Sequence, residues 1–294
     1  THEIGHQLGS AHTFNGNQGN CSGLNRSATT AYEPGAGNTI MSYDSRCAPD
    51  NVGDGINYFH AGSLTDIIPQ LACAAATASG NQPPSLAVPA SNTYTIPVST
   101  AFALTGSGTD PDGDALTYSW EELDVGNASG LAGAPTDASA PPLFRSFAPV
   151  TSATRTFPSL PNILNNAPST SEQLPQVARP LNFRLTARDN RGGVAGANVA
   201  LAVTAAGPFA VTAPSAAFTA VPGSSYALTW SVLGTDQAPV SCANVQVLFS
   251  SDGGLTFPTV LLASTPNDGA ANVRLPSTAT SQGRLKIPAL GNVV

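Results

Sequence analysis

The chain has 294 residues but only four histidines, and three of them, His2, His6 and His12, fall at its start. Their spacing constrains the local fold more than any other feature. On an α-helix, residues four apart lie one turn apart on the same face, so His2 and His6 can aim both imidazoles at one metal ion. Glu3 lies on the adjoining strip, close enough to touch a water on that metal. Gly9 is where such a helix should stop, because glycine adopts positive φ at no steric cost and lets the chain turn sharply. The turn brings His12 back as a third ligand. Three nitrogen ligands with a fourth position open describe a catalytic zinc site rather than a structural one. Bound zinc lowers the pKa of its water to about 7. Glu3 would take that proton and later give it to a leaving amine.

His2-Glu3-Ile4-Gly5-His6-Gln7-Leu8-Gly9-Ser10-Ala11-His12 fits H-E-x-x-H-x-x-G-x-x-H at every fixed position. The only methionine, Met41, follows within Asn38-Thr39-Ile40-Met41-Ser42-Tyr43. Together these resemble the metzincin metallopeptidases, whose extended histidine motif is followed by a tight Met-turn beneath the zinc histidines. The resemblance implies zinc on His2, His6 and His12, Glu3 as general base, Met41 as support and a polypeptide as substrate. Tyr43 has the spacing of a tyrosine that reaches the zinc in the astacin and serralysin branches. By that resemblance it is a weak fifth ligand or a donor to the oxyanion. The alternative is a buried tyrosine with a satisfied hydroxyl. Thr13-Phe14-Asn15-Gly16, the loop holding Cys21, and Tyr32-Glu33-Pro34-Gly35 look more like a bacterial reprolysin-like group.

The resemblance covers residues 1–75. It implies that only the C-terminal part of an α+β peptidase domain is present, carrying the active-site helix and the Met-turn. The upstream half would supply the edge strand that pairs with the substrate backbone. On that reading the chain is a fragment with His2 at a frayed helix end. It is expected to lack peptidase activity by itself and to bind zinc far more weakly than the completed domain.

Composition sets the surroundings. The net charge is −7, the sequence pI is about 4.8 and only 10% of residues are charged. Such a surface argues against nucleic acid and anionic membranes as partners. No apolar run approaches the roughly 20 residues that span a bilayer. Cys21, Cys47, Cys73 and Cys242 form no C-x-x-C pair, so a zinc ribbon is not expected. A secreted, extracellular protein with disulfides is the natural reading; the competing one is a set of reduced core cysteines in the cytosol. Cys21 and Cys47 flank the region beneath the zinc and are expected to pair, and snake-venom-type relatives carry a bridge in a similar place. Cys73 would then need a partner upstream, and Cys242 is expected to be an unpaired buried thiol.

Tyr58 to Ile68 reads as the last helix of the peptidase part, with Ser63 as N-cap and Asp66 three residues on. His60 either lines the cleft or is a structural residue at the helix entry. Residues 76–84 read as a small-residue and proline linker. From there the apolar pattern changes to period two, which argues strands. Tyr94–Val98, Phe102–Thr105, Leu116–Trp120, Leu181–Ala187 and Val199–Val203 outline an immunoglobulin-like β-sandwich over 85–206, resembling cadherin-like or PKD-like modules. Residues 124–178 show little periodicity and read as either an ordered insertion or a mobile loop. Asp110, Asp112 and Asp114 place carboxylates at alternate positions and suit calcium, Ca2+; the alternative is a turn rich in Asp and Gly. An EF-hand is rejected, because its sixth position would be Ala115 and the following segment alternates like a strand. Residues 207–294 read as a second, immunoglobulin- or fibronectin-like sandwich, truncated at its end on one reading, with strands at Tyr226–Trp230 and Val245–Ser250 and a hairpin turn signal at Ser251–Gly254.

The expected fold class is therefore multidomain, a partial α+β metzincin domain followed by two all-β sandwiches. The expected function is a secreted zinc (Zn2+) endopeptidase. The rival is an extracellular adhesion or matrix-binding protein whose sandwich modules bind a cell-surface or matrix ligand.

Overall fold

The computed structural model describes residues 1–53, 55–73, 79–89, 94–131, 136–167 and 169–294. The molecule is mostly β, with 11% helix and 31% strand in several sheets.

The N-terminal segment is built from turns around one short helix, α1 (His2–Gln7), and ends in α2 (Ala61–Gln70). Short 3₁₀ turns at Gly19–Cys21 and Gly23–Asn25 lie between them. Its core is small: Phe14, Cys21, Ala36 and Cys47 are fully buried, with Tyr43 packed against them. A disulfide joins Cys21 to Cys47 across 26 residues.

The helix predicted over Tyr58–Ile68 begins at Ala61, and Ser63 is not its N-cap. His60 takes that place, its Nδ1 accepting from the Gly62 amide at 3.1 Å. The physical reason lies outside the local sequence. Glu121, far along the chain, accepts from the Ala61 amide at 3.1 Å, so the first turn is satisfied before Ser63 is reached. Ser63 Oγ is buried within that turn without a hydrogen-bond partner.

The next region holds three sheets, the largest packed face to face against a smaller one. One has the order β2 (Tyr94–Pro97), β8 (Val194–Thr204), β7 (Arg179–Arg188), β5 (Thr117–Glu122). Opposite lie β3 (Phe102–Thr105) and β6 (Thr154–Phe157), and β1 (Ser85–Ala87) pairs with β4 (Ser107–Thr109). Alternation drives the packing: Leu181, Phe183, Leu185 and Ala187 share one face of β7 and are fully buried. They meet Phe102, Phe144 and Phe157 from the other side, with the Phe157 and Phe183 rings 4.6 Å apart. The described part of 124–178 is an ordered insertion. It contributes β6, the short helix α3 (Leu160–Asn165) and the buried Leu143 and Phe144.

The last region faces β9 (Ala210–Ala213), β10 (Ser225–Ser231) and β13 (Ala270–Arg274) against β11 (Asn244–Ser250), β12 (Thr259–Pro266) and β14 (Arg284–Lys286). Leu228, Trp230, Val245, Val247 and Val273 form its core. Its end folds back on the preceding region, where the Ala103 amide donates to Val293 O at 2.8 Å. Cys242 is buried and free, and the Cys73 side chain lies outside the described residues.

Candidate metal centre

α1 ends in a Schellman arrangement. The Ser10 amide donates to Gly5 O at 3.0 Å, the Gly9 amide to His6 O at 3.0 Å, and Gly9 has φ +84°. This turn reverses the chain within three residues and returns His12 beside His6.

The three imidazoles converge through their Nε2 atoms. His6 Nε2 lies 3.2 Å from His2 Nε2 and 3.2 Å from His12 Nε2. Each Nδ1 faces a backbone carbonyl: His2 faces Ile40 O at 2.6 Å, His6 faces Ser10 O at 2.9 Å and His12 faces Asn25 O at 2.6 Å. A carbonyl only accepts, so each Nδ1 must donate. In the neutral ring that leaves Nε2 as an acceptor. Three lone pairs then face one another at close range with no proton between them. A cation bound by all three removes that conflict, and a zinc-binding histidine ordinarily donates its other ring N–H to a carbonyl or carboxylate that fixes its orientation. The residues present therefore fit the metal. Burial, opposed by the bond to Asn25 and helped by His6 and His2, holds His12 below its ordinary pKa, which favours the neutral ligand form.

Met41 is fully buried beneath this centre. It packs so closely under Gly5 that a Cβ there would overlap Met41 Sδ. Its carbonyl accepts from the Thr13 amide at 3.1 Å, tying the turn to the residue after His12. Tyr43 lies beside His12, ring centroids 4.5 Å apart, and Phe14 stacks on His12 at 5.1 Å. A cleft of about 890 Å3 opens over the imidazoles, with Glu3, Asn25, Tyr43, Asp44 and Arg46 among its walls. Glu3 is exposed to it. His60 is buried away from this cleft, stacked on Tyr32 with ring centroids 5.3 Å apart.

Sequence reasoning did not find the carbonyls of Ile40, Ser10 and Asn25, because a backbone acceptor has no side-chain signature. It also assigned no role to Glu33, which is 1% exposed. A lone acid in a stretch so poor in charge was the available signal.

In the acidic loop, single carboxylate oxygens of Asp110, Asp112 and Asp114 lie within 4.8 Å of one another. Several acceptors there are already used: Asp110 Oδ1 by the Asp112 and Asp114 amides, Asp112 Oδ2 by the Gln82 amide, and Asp114 Oδ1 by Arg191. Asp110 Oδ2 is buried without a partner.

The description "Metallo-peptidase family M12B Reprolysin-like" matches residues 1–55. The match supports a metallopeptidase family for that stretch, a family that generally uses zinc. No curated protein matches the chain. Among solved structures, it is similar to a nucleoside hydrolase-related hypothetical protein from Saccharophagus degradans, at 21% identity and TM-score 0.25, over 42% of this chain and 26% of that one. It is also similar to the Ig1-2 module of the Drosophila receptor protein tyrosine phosphatase DLAR, at 11% identity and TM-score 0.34, over 72% of this chain and 93% of that one. A third similarity is to SGBP-B of the Bacteroides ovatus mixed-linkage glucan utilization locus, at 12% identity and TM-score 0.21, over 72% of this chain and 45% of that one. The chain thus spans about a quarter of the first of these. Among the described residues, no helix is long and apolar enough to cross a membrane.

Proposed function

We propose that this chain carries the zinc-binding part of a secreted metalloendopeptidase of the metzincin type, followed by two immunoglobulin-like sandwich modules. The observation that carries the reading is the convergence of three imidazoles, with His6 Nε2 3.2 Å from the Nε2 of both His2 and His12 and every Nδ1 held by a carbonyl. His2, His6 and His12 would hold the metal. When bound there, zinc supplies an acidified water and polarises a carbonyl. Glu3 faces the cleft from the turn that carries His2; its role is to accept the water's proton and return it to the leaving amine. For Tyr43, whose ring lies against His12, the role is donation to the developing oxyanion. The Cys21–Cys47 disulfide supports an oxidising, extracellular setting.

The test is hydrolysis of an unfolded protein by the chain expressed with whatever sequence its gene encodes upstream of Thr1. We expect cleavage that a chelator removes and that Glu3→Ala lowers by at least about 100-fold. A zinc-loaded wild type, freed of any propeptide, that cleaves nothing contradicts the reading.

We also propose calcium for the acidic loop, on the strength of the orphaned Asp110 oxygen. Calcium should raise the melting temperature of the wild type and not of Asp110→Ala. An unchanged wild type rules the site out.

A further inference from the structure

Glu33 stands between the histidine motif and the Met-turn in sequence, and it joins them in space. Its Oε1 accepts from the Asn38 amide at 2.9 Å and the Thr39 amide at 3.1 Å. Its Oε2 accepts from Thr13 Oγ1 at 2.5 Å and Thr39 Oγ1 at 2.6 Å. The Glu33 amide donates to Thr13 O at 2.8 Å, and Glu33 O accepts from the Asn15 amide at 2.8 Å. Gly37, at φ +65°, lets the loop close over this carboxylate, since a Cβ there would press on Glu33 Cβ and Cδ at 3.1 Å.

The donors sit next to two of the three histidine anchors. Thr13 follows His12 directly. Thr39 precedes Ile40, whose carbonyl aims His2 through its Nδ1. Hydrogen bonds to an ionised acceptor are roughly twice as strong as neutral ones, and here they are shielded from water.

We infer that Glu33 is a positioning residue for the metal centre: one buried carboxylate fixes the distance between His12 and the carbonyl that orients His2. The inference rests on the reading of His2, His6 and His12 as metal ligands. It assigns Glu33 no contact with metal or substrate.

The experiment uses the full chain and two readouts independent of turnover: zinc affinity by competition with a chromophoric chelator, and the visible spectrum of the cobalt-substituted protein. Losing an outer-shell partner costs about 10–100-fold in metal affinity. We expect that loss in Glu33→Ala, together with a changed cobalt spectrum. Glu33→Gln should restore most of the affinity and the wild-type spectrum. Its amide oxygen can still take both backbone N–H groups, and the two hydroxyls can turn to accept from its NH2. Thr13→Val removes only the bond toward His12 and is measured alongside, so an unfolded Glu33→Ala still leaves a readout. It should weaken zinc binding and alter the spectrum in the same sense. Wild-type affinity and spectrum in a folded Glu33→Ala, or in Thr13→Val, overturn the inference. A wild-type chain that takes up no zinc at saturating concentration overturns the metal-centre reading itself, and that failure appears before any variant is compared.

Discussion

Gly5 sits inside α1 with Met41 directly beneath it. Glycine in a helix interior ordinarily costs about 1 kcal/mol relative to alanine, so Gly5→Ala would stabilise an ordinary helix. Here the added methyl would overlap Met41 Sδ and press on Phe59 at 3.0 Å. Met41 is fully buried and cannot swing into solvent. Overpacking of this kind costs about 1–3 kcal/mol, which equals or outweighs the gain in propensity. We therefore expect Gly5→Ala to lower both the melting temperature and the zinc affinity. A calorimetric scan and a zinc titration check this, and a variant more stable than wild type contradicts it. At this scale much of the site was legible. The convergence of His2, His6 and His12 and the turn at Gly9 could be read from residue type and spacing, because coordination chemistry admits few substitutes. The Ile40, Ser10 and Asn25 carbonyls could not, since any residue could supply them. Glu33 declares itself only once its four donors are seen together.

Among the elements, strands with apolar alternation were legible, down to the four residues of β2 and β3, whereas the eight residues of β12 and the shortest strands were not. β7 and β8 alternate over ten and eleven residues, whereas β1, β4 and β14 have three residues each, too few to set a period. The start of α2 was misplaced because its first amide is satisfied by Glu121 of β5. The same strand carries a titratable device in the core. Glu122, Asp124 and Arg179 are buried together, with Arg179 Nη2 3.8 Å from Glu122 Oε1 and 3.7 Å from Asp124 Oδ2. Burial, and then the charge of Asp124, push the Glu122 carboxyl well above the ordinary carboxylate range, although Arg179 opposes the shift. A carboxyl whose folded pKa exceeds its unfolded value takes up a proton on folding between the two. Its contribution is therefore fully present below about pH 4.3 and is lost as pH rises toward the folded value. The sandwich around β5 and β7 should lose stability across that window, and Glu122→Gln should flatten the slope. Melting temperatures from pH 4 to pH 7 decide it; parallel slopes in wild type and variant would rule out Glu122 as the source.

At the scale of the whole molecule, the sequence suggests peptidase-like and sandwich stretches joined by a linker, while the structure packs residues of the two stretches on each other. Glu121 accepts from Tyr58 Oη at 3.0 Å as well as from Ala61, and Arg188 lies over the Tyr58 ring at 4.9 Å. The insertion after β5 reaches the other flank, where Arg26 bridges Asn15 Oδ1 and Gly126 O, both at 2.7 Å. Asn38, beside the Met-turn, donates to Ser146 O at 3.2 Å. None of this was legible, because contacts between polar side chains and distant backbone leave no periodic trace. It means that the Met-turn and α2 are supported from the sandwich side as well as by their own small core. All of this support converges on one centre, so the most direct test is X-ray absorption at the zinc edge of the zinc-saturated chain. The account predicts three imidazole nitrogens at about 2.0–2.1 Å and an oxygen in the remaining position. A sphere closed by four protein ligands, or a zinc environment unchanged in His6→Ala, would contradict it.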